Sequence, residues 1–162
     1  MGYAEKEKAI KVLLGAAPFD LECKEEHMKL YKEAFTHASI SNELERGGGK
    51  KQVESYERLA YLGDAVIYLV AAEHLYRSPG KLNKGKMTNE RQQIVSNECI
   101  AKRLKEKNID LFKLCIHSSG LEENEKNRES ITSSIFEALI AAIYINEGYI
   151  KAEEIVGRIL LK

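Results

Sequence analysis

Apolar residues along this chain recur every three or four positions over several stretches, which is the spacing of one face of a helix. The pattern predicts helices over 4–14, 26–35 and 86–107. A last helix is predicted over 149–161, directly after Gly148, which is a residue type that commonly ends a helix. The chain therefore reads as a string of helices, and we expect an all-α fold.

Two further predicted helices, 55–76 and 131–146, carry apolar residues all round the cylinder, which is typical of buried central helices. Each nevertheless contains an acid, Asp64 in the first and Glu137 in the second. An unpaired carboxylate in a dry core costs several kcal/mol or is forced to take up a proton. We expect both acids to be buried, and a cation held between them is the most economical explanation.

Composition supports this reading. The chain has 162 residues, of which 44% are hydrophobic and 31% charged, and this suits one globular domain over 1–162. With 2 prolines and 11 glycines the chain has few residues that break helices, which favours helices over a turn-rich β fold. The one clearly flexible loop is expected at the glycine-rich segment 47–51.

The formal net charge is +0, so the chain as a whole is not drawn to nucleic acid. Segment 81–107 differs, because it has eight basic residues and three acids, a net charge of 8 − 3 = +5. A basic stripe of this kind can follow a phosphate backbone. A solvated helix face would have the same composition, and charge alone does not separate the two interpretations.

The three cysteines, Cys23, Cys99 and Cys115, lie far apart and form no metal-ligand or redox spacing. Reduced thiols in a cytoplasmic protein are the simplest interpretation. The longest purely apolar run, 65–72, is too short to span a bilayer, and the first residues contain no apolar signal core. We expect no membrane partner.

The two acids have neighbours that favour a shared site. Glu57 and Asp64 are seven residues apart, almost two helical turns, and so share a face. Gly63 removes a side chain where another helix could approach, and Ser134 lies on the same face as Glu137. If the two apolar helices pack side by side, Asp64 and Glu137 converge.

Oxygen ligands without histidine or cysteine suit a hard cation, Mg²⁺ or Mn²⁺, that keeps several waters. Such a site suits phosphoryl transfer by metal-activated water. The alternative is that the two acids form salt bridges with Arg58 or Arg91, and the residues alone leave both interpretations open.

Three segments resemble the ribonuclease III family. ERLAYLGDAV (57–66) is similar to the family signature, AFTHASISNE (34–43) to an upstream motif, and FEALIAAIY (136–144) to the last catalytic helix. They come in the family's order within a match from about 29 to 148. The resemblance implies an all-helical endonuclease domain, a homodimer, a divalent metal and double-stranded RNA as substrate.

The chain departs from the family pattern at three acidic positions. The acid usually found four residues before the aspartate is Ala60, the one three residues before the glutamate is Ser134, and a further loop acid is replaced by Lys84. The four-carboxylate site of the family is thus reduced to Asp64 and Glu137, with Glu57 in reserve.

Two functions are compatible with this reduced site. One is an inactive RNA-binding or assembly protein, like the ribonuclease III-like proteins of mitochondrial ribosomes. The other is a minimal-site nuclease like the Mini-III branch, which the 57–66 and 136–144 segments resemble. The retained acids favour activity, because a dead site would gain stability by losing them.

The resemblance also sets expectations for RNA binding. Lys84, Lys86 and Arg91 are the candidate phosphate contacts, which fix position without reading sequence. No double-stranded-RNA-binding domain is expected within 1–162, so affinity must come from the nuclease domain, a partner or a region outside this sequence. We also expect the homodimer to bury apolar faces of 57–76.

Three other residues, in or next to the 34–43 and 57–66 segments, are candidates for a functional role. His37 is expected to bond backbone at a helix junction rather than to act in catalysis. Tyr61 and Tyr68 are expected to be core or dimer contacts rather than base-stacking platforms.

Overall fold

The structure, a computed structural model, describes residues 2–40, 54–121 and 124–161. The glycine-rich segment 47–51 and the end of the 34–43 motif lie outside the described residues. Within the described ranges the regular structure is helical, and the extended pairing is one isolated parallel bridge between Thr36 and Ile116. The all-α prediction is confirmed.

Seven α-helices have both ends in the described ranges. Their bounds are α1 Tyr3–Gly15, α2 Met28–Ala34, α3 Glu57–Tyr76, α4 Lys84–Ile94, α5 Asn97–Glu106, α6 Glu125–Glu147 and α7 Tyr149–Leu160, with short 3₁₀ turns at Glu25–His27 and Phe112–Leu114.

Helix α6 is the centre of the fold. It packs along α3 and also contacts α2, α5 and α7, and its side chains from Ala138 to Ile143 are fully buried. It begins at Glu125, earlier than the expected 131, because Asn124 caps a polar first turn by accepting a hydrogen bond from the Asn127 backbone at 2.9 Å. One cluster of buried apolar side chains joins helices from α1 to α7.

Gly148 separates α6 from α7, as its position in the sequence predicts. Its φ of +90° lies in the left-handed region that favours glycine, and its backbone N–H donates to the Tyr144 carbonyl at 3.0 Å. The chain turns there, and α7 packs back against α6 and α3.

The prediction of one helix over 86–107 is wrong, because the chain breaks at Ser96 into α4 and α5. Ser96 has extended backbone angles, and its Oγ accepts a hydrogen bond from the Cys99 backbone at 3.2 Å. A serine in that role begins a new helix. Apolar spacing continues across the break, with Val95 and Ile100 both buried, which explains why periodicity alone missed it.

Helix α3 is not covered on every side within one chain, contrary to the expectation of a fully buried helix. Val66, Val70 and their neighbours on one side enter the core. On the other side Tyr61 is 85% exposed, Leu69 52% and Tyr76 79%. We call Tyr61, Leu69 and Tyr76 the exposed α3 stripe. Across the described residues, no helix has both the length and the apolarity to cross a membrane.

Candidate active site

The site is built where α3 crosses α6 at a glycine. A Cβ placed on Gly63 would lie 1.7 Å from the backbone carbonyl oxygen of Glu137, so only a residue without a side chain fits there. The two helix backbones are therefore in direct contact at this level. The contact fixes the positions of Asp64, the next residue on α3, and of Glu137 itself.

Asp64 and Glu137 lie on the two helices that meet at Gly63, but the prediction that both are buried is wrong. Asp64 is exposed and Glu137 is half-buried. The apolar residues that surround Asp64 in the sequence include Tyr61 and Ala65, which face outward with it. Apolar neighbours along α3 mark the exposed stripe as well as the core, and the sequence pattern does not distinguish the two.

The pKa of the Glu137 carboxyl depends on its burial and on the charge of Asp64. Burial first, and then the negative charge of Asp64, raise the pKa of Glu137 from 4.5 to about 7, against a hydrogen bond from Ser133 that lowers it. Asp64 is thus near enough for its charge to act on Glu137 across the helix crossing. Paired acids with a raised pKa are typical of functional sites.

Ser133 is a site residue that the sequence reasoning missed. Its side chain is 0% exposed, and its Oγ donates a hydrogen bond to Oε1 of Glu137 at 3.5 Å. The family pattern drew attention to Ser134, which is half-buried. The signal that could have identified Ser133 is its i, i+4 spacing from Glu137 on one helix face.

Glu57 does not complete a cluster with the two acids. It is exposed at the start of α3, and its Oε2 accepts a hydrogen bond from Ser55 Oγ at 3.3 Å. No group of three histidine, cysteine, aspartate or glutamate side chains within 2–40, 54–121 and 124–161 is arranged to hold a metal ion. Ala60, which stands where the family resemblance places an acid, is buried on α3.

The donor set nevertheless fits a hydrated hard cation. Two carboxylates and a nearby hydroxyl are all oxygen donors, and Mg²⁺ is commonly held by one or two carboxylates while it keeps several waters. The exposure of Asp64 leaves room for those waters.

The alternative of a salt bridge is not what the geometry favours. Arg91, one of the two candidate cations, lies over the ring of Tyr68 with its guanidinium carbon 5.0 Å from the ring centroid. The groups that shift the pKa of Glu137 are Asp64 and Ser133, and neither is a cation. The interactions that shift the pKa of Glu137 thus include no cation, and the Ser133 hydrogen bond offsets part of the effect of Asp64.

His37 has the structural role that the sequence suggested. Its backbone N–H donates to the Ile116 carbonyl at 2.8 Å, and its Nδ1 accepts from the Ser39 backbone at 3.0 Å. The ring packs edge-on against Tyr56 at a centroid distance of 5.6 Å. Burial lowers the pKa of His37, and His117 lowers it further, so both effects favour the neutral form. His37 ties the segment before α3 to the segment after α5.

The candidate RNA contacts lie on α4, which packs against α3. Lys84 and Lys86 are exposed in its first turn, where the Asn83 side chain accepts from the Lys86 backbone at 3.0 Å. Arg91 is half-buried. Lys84 thus belongs to the surface of the fold, at the position of a family acid.

Comparison with known proteins agrees with this architecture. The sequence model of the family described as Ribonuclease-III-like matches residues 27–162. The chain belongs to the ribonuclease III-like family. The match includes α2 through α7 and therefore all residues of the candidate site.

The curated relatives and the solved structures that match are ribonucleases III. Ribonuclease 3 of Onion yellows phytoplasma is 36% identical over 136 residues, 84% of this chain and 54% of that protein. Ribonuclease 3 of Lactobacillus acidophilus is 38% identical over 122 residues, 74% of this chain and 50% of that protein. The chain spans about half the length of these relatives.

A solved nuclease domain of ribonuclease III from Campylobacter jejuni matches with a TM-score of 0.70 and 28% identity. The match covers 98% of this chain and 96% of that domain, whose description concerns flexibility in a region involved in dimer formation. A second structure of the C. jejuni nuclease domain matches with the same TM-score and 29% identity. The ribonuclease III nuclease fold therefore accounts for nearly the whole chain.

Proposed function

We propose that this chain is a divalent-metal-dependent endoribonuclease that cuts double-stranded RNA, with Asp64 and Glu137 as its metal-binding acids. The observation that carries the proposal is the pair of carboxyl groups held together at the Gly63 contact, with the pKa of Glu137 raised to about 7. Family membership supplies the reaction class, and the relatives named Ribonuclease 3 support it.

The presence of both Asp64 and Glu137 at the helix crossing suggests that they serve a function. The charge of Asp64 disfavours ionisation of Glu137, so the two ionised carboxyl groups destabilise the fold and replacing one of them would relieve the repulsion. A cation between the carboxyl groups would turn that repulsion into attraction. The cost of the pair in the metal-free protein is therefore understandable if the protein works with a metal bound.

Each residue has a distinct part in the proposed reaction. Glu137 is the anchored ligand, because its backbone is fixed at the helix crossing and its side chain is half-buried. Asp64 is the accessible ligand, since its exposure allows a phosphate group to approach. Glu57 stands at the start of α3, and we propose that it assists through water. Mg²⁺ or Mn²⁺ would supply an activated water for attack on the phosphodiester.

RNA binding is proposed for the surface of α4. Lys84 and Lys86 are exposed there, and Arg91 is held over Tyr68 by a cation–π contact. Lysine contacts to phosphate position a duplex without reading its sequence, which suits an enzyme for double-stranded RNA.

A second copy of the chain is the proposed cover for the exposed α3 stripe. Tyr61, Leu69 and Tyr76 lie on the outer side of one helix, and large exposed apolar side chains in a row mark a contact surface. A two-fold contact through α3 repeats the site of each copy and allows cleavage of both strands.

The deciding experiment incubates the purified chain with a generic RNA duplex in Mg²⁺ or Mn²⁺. Short products that depend on added metal are expected, and Asp64→Asn and Glu137→Gln are each expected to abolish them. Glu22→Gln, an exposed acid outside the site, is the matched control and keeps full activity. RNA binding without cleavage, indifferent to metal and to Glu137→Gln, would instead show an inactive RNA-binding or assembly protein.

A further inference from the structure

We infer that Ser133 is a positioning residue that sets the orientation of the Glu137 carboxylate and thereby the metal affinity of the site. The inference rests on the proposed function and assigns a role to a residue that neither the family motif nor the acid pattern singles out. It follows from three features of α6: the burial of Ser133, its bond to Glu137 and the fixed backbone of Glu137.

Ser133 lies one turn before Glu137 on the same face of α6. Its side chain is 0% exposed, and its Oγ donates to Oε1 of Glu137 at 3.5 Å. A hydroxyl at a fully buried position must find a hydrogen-bond partner inside the protein. Here that partner is one oxygen of the proposed metal ligand.

The backbone of Glu137 is already held by its contact with Gly63, so the freedom that remains to the carboxylate is in its side-chain torsions. Freezing a glutamate side chain in one rotamer has an entropic cost that a metal would otherwise have to overcome on binding. The Ser133 hydroxyl restricts that freedom before the metal arrives. It also takes one of the acceptor positions of Oε1, so Oε2 is the oxygen with more free acceptor positions for the cation.

The competing interpretation is that Ser133 is a small core residue whose hydroxyl serves the helix alone. In that case alanine at 133 would change packing or stability but not metal binding. Thr132 is the control, because it is a half-buried hydroxyl residue of α6 that lies on another face of the helix, beside Lys105 and Phe112.

The test compares Ser133→Ala, Ser133→Thr and Thr132→Ala with the unsubstituted chain. Binding of Mn²⁺ to the RNA-free protein is followed by electron paramagnetic resonance, and kcat and KM are measured with a duplex RNA. Ser133→Ala is expected to weaken Mn²⁺ binding about tenfold, as loss of a bond to a metal ligand commonly does. Its kcat should fall at limiting metal while KM for RNA stays constant. Ser133→Thr keeps the hydroxyl and should bind Mn²⁺ nearly as well as the unsubstituted chain.

The outcomes separate this inference from the proposed function. If the unsubstituted chain neither binds Mn²⁺ nor cuts RNA, the proposed function is overturned and the inference falls with it. If the unsubstituted chain does both and Ser133→Ala matches Thr132→Ala and the unsubstituted chain in Mn²⁺ affinity, the inference alone is overturned. Should Ser133→Ala not fold, Ser133→Cys keeps the volume with only a weak donor and is expected to show the same weakened binding.

Discussion

Gly63 and Glu137 touch through their backbones, so the side chains around this point are held at a spacing that neither helix could set alone. The negative charge of the exposed Asp64 acts on the half-buried Glu137 across that contact and raises its pKa. At the scale of single residues, the site is thus a consequence of how closely α3 and α6 approach.

Gly63→Ala is expected to be strongly destabilising. Its Cβ would overlap the Glu137 carbonyl oxygen, which is backbone and cannot rotate away, so the two helices must separate. Forcing extra atoms into a packed interior costs about 1–3 kcal/mol, and a backbone overlap of this kind is expected at or above the upper end. Urea unfolding measures the change. Gly157→Ala on α7 is the control, because a Cβ there meets nothing within 4 Å, and it is expected to be neutral or stabilising. Equal stability of the two variants would show that the helices are not in backbone contact.

Stability without metal is expected to depend on pH through Glu137. Its pKa is raised from 4.5 when unfolded to about 7 when folded, so between these values the folded chain holds more protons than the unfolded one. The free energy of unfolding therefore falls as the pH rises through this window, and the loss is complete above about pH 7. The full shift corresponds to at most about 3 kcal/mol.

Urea unfolding in a chelating buffer between about pH 5 and pH 8 checks this expectation. Glu137→Gln should flatten the profile and be the more stable protein at the alkaline end. Asp64→Asn should lower the pKa of Glu137, since it removes the neighbouring negative charge, and should reduce the slope in part. Parallel profiles for Glu137→Gln and the unsubstituted chain would show that Glu137 titrates normally.

At the scale of helices, apolar spacing predicts where most of the helices lie. It does not predict a helix boundary that is set by a single polar residue. The positions of α3, α6 and α7 follow from their apolar faces and from Gly148. The break between α4 and α5 does not, because the partly buried Ile94 at the end of α4 packs against the same core that α5 enters, and only the capping role of Ser96 marks the boundary. Likewise, the apolar pattern of α3 is the same whether a given side is covered by this chain or by another.

Tyr61→Glu is expected to separate the proposed homodimer. The side chain is 85% exposed in one chain, so a charge there is tolerated by the monomer but would be buried in a contact through the α3 stripe. Light scattering at micromolar concentration should give the mass of one chain. Val12→Glu, at a similarly exposed apolar position on α1, is the control and should leave a dimer intact. A monomer in the unsubstituted chain would rule out the stripe as a self-contact.

At the scale of the whole molecule, the balance of charge matters more than its total. The formal net charge is +0, so any attraction to RNA must come from where the charges lie. The family resemblance fixed the fold across the chain, because three separated motifs agreed on one architecture. The exposure of Asp64 depends on how the helices pack, which no single helix pattern contains. The bond between Ser133 and Glu137 lies within one helix, but the sequence does not show that this face of α6 forms the site.

The double variant Lys84→Gln and Lys86→Gln is expected to weaken RNA binding in low salt and to flatten its salt dependence. Each lost phosphate contact should reduce the slope of log affinity against log salt by about one. Filter binding at several salt concentrations measures this slope. Lys8→Gln with Lys24→Gln removes two exposed charges elsewhere and should change it little. Equal slopes for the two double variants would move the RNA contact away from α4.

The backbone contact at Gly63 also bears on how related chains should be judged. A relative that abandoned catalysis would still need a glycine there, because any side chain would force the two central helices apart. It would have no such reason to keep Asp64, whose exposed side chain contributes little to packing. The glycine is therefore a marker of ancestry, and the neighbouring aspartate is a marker of continued use.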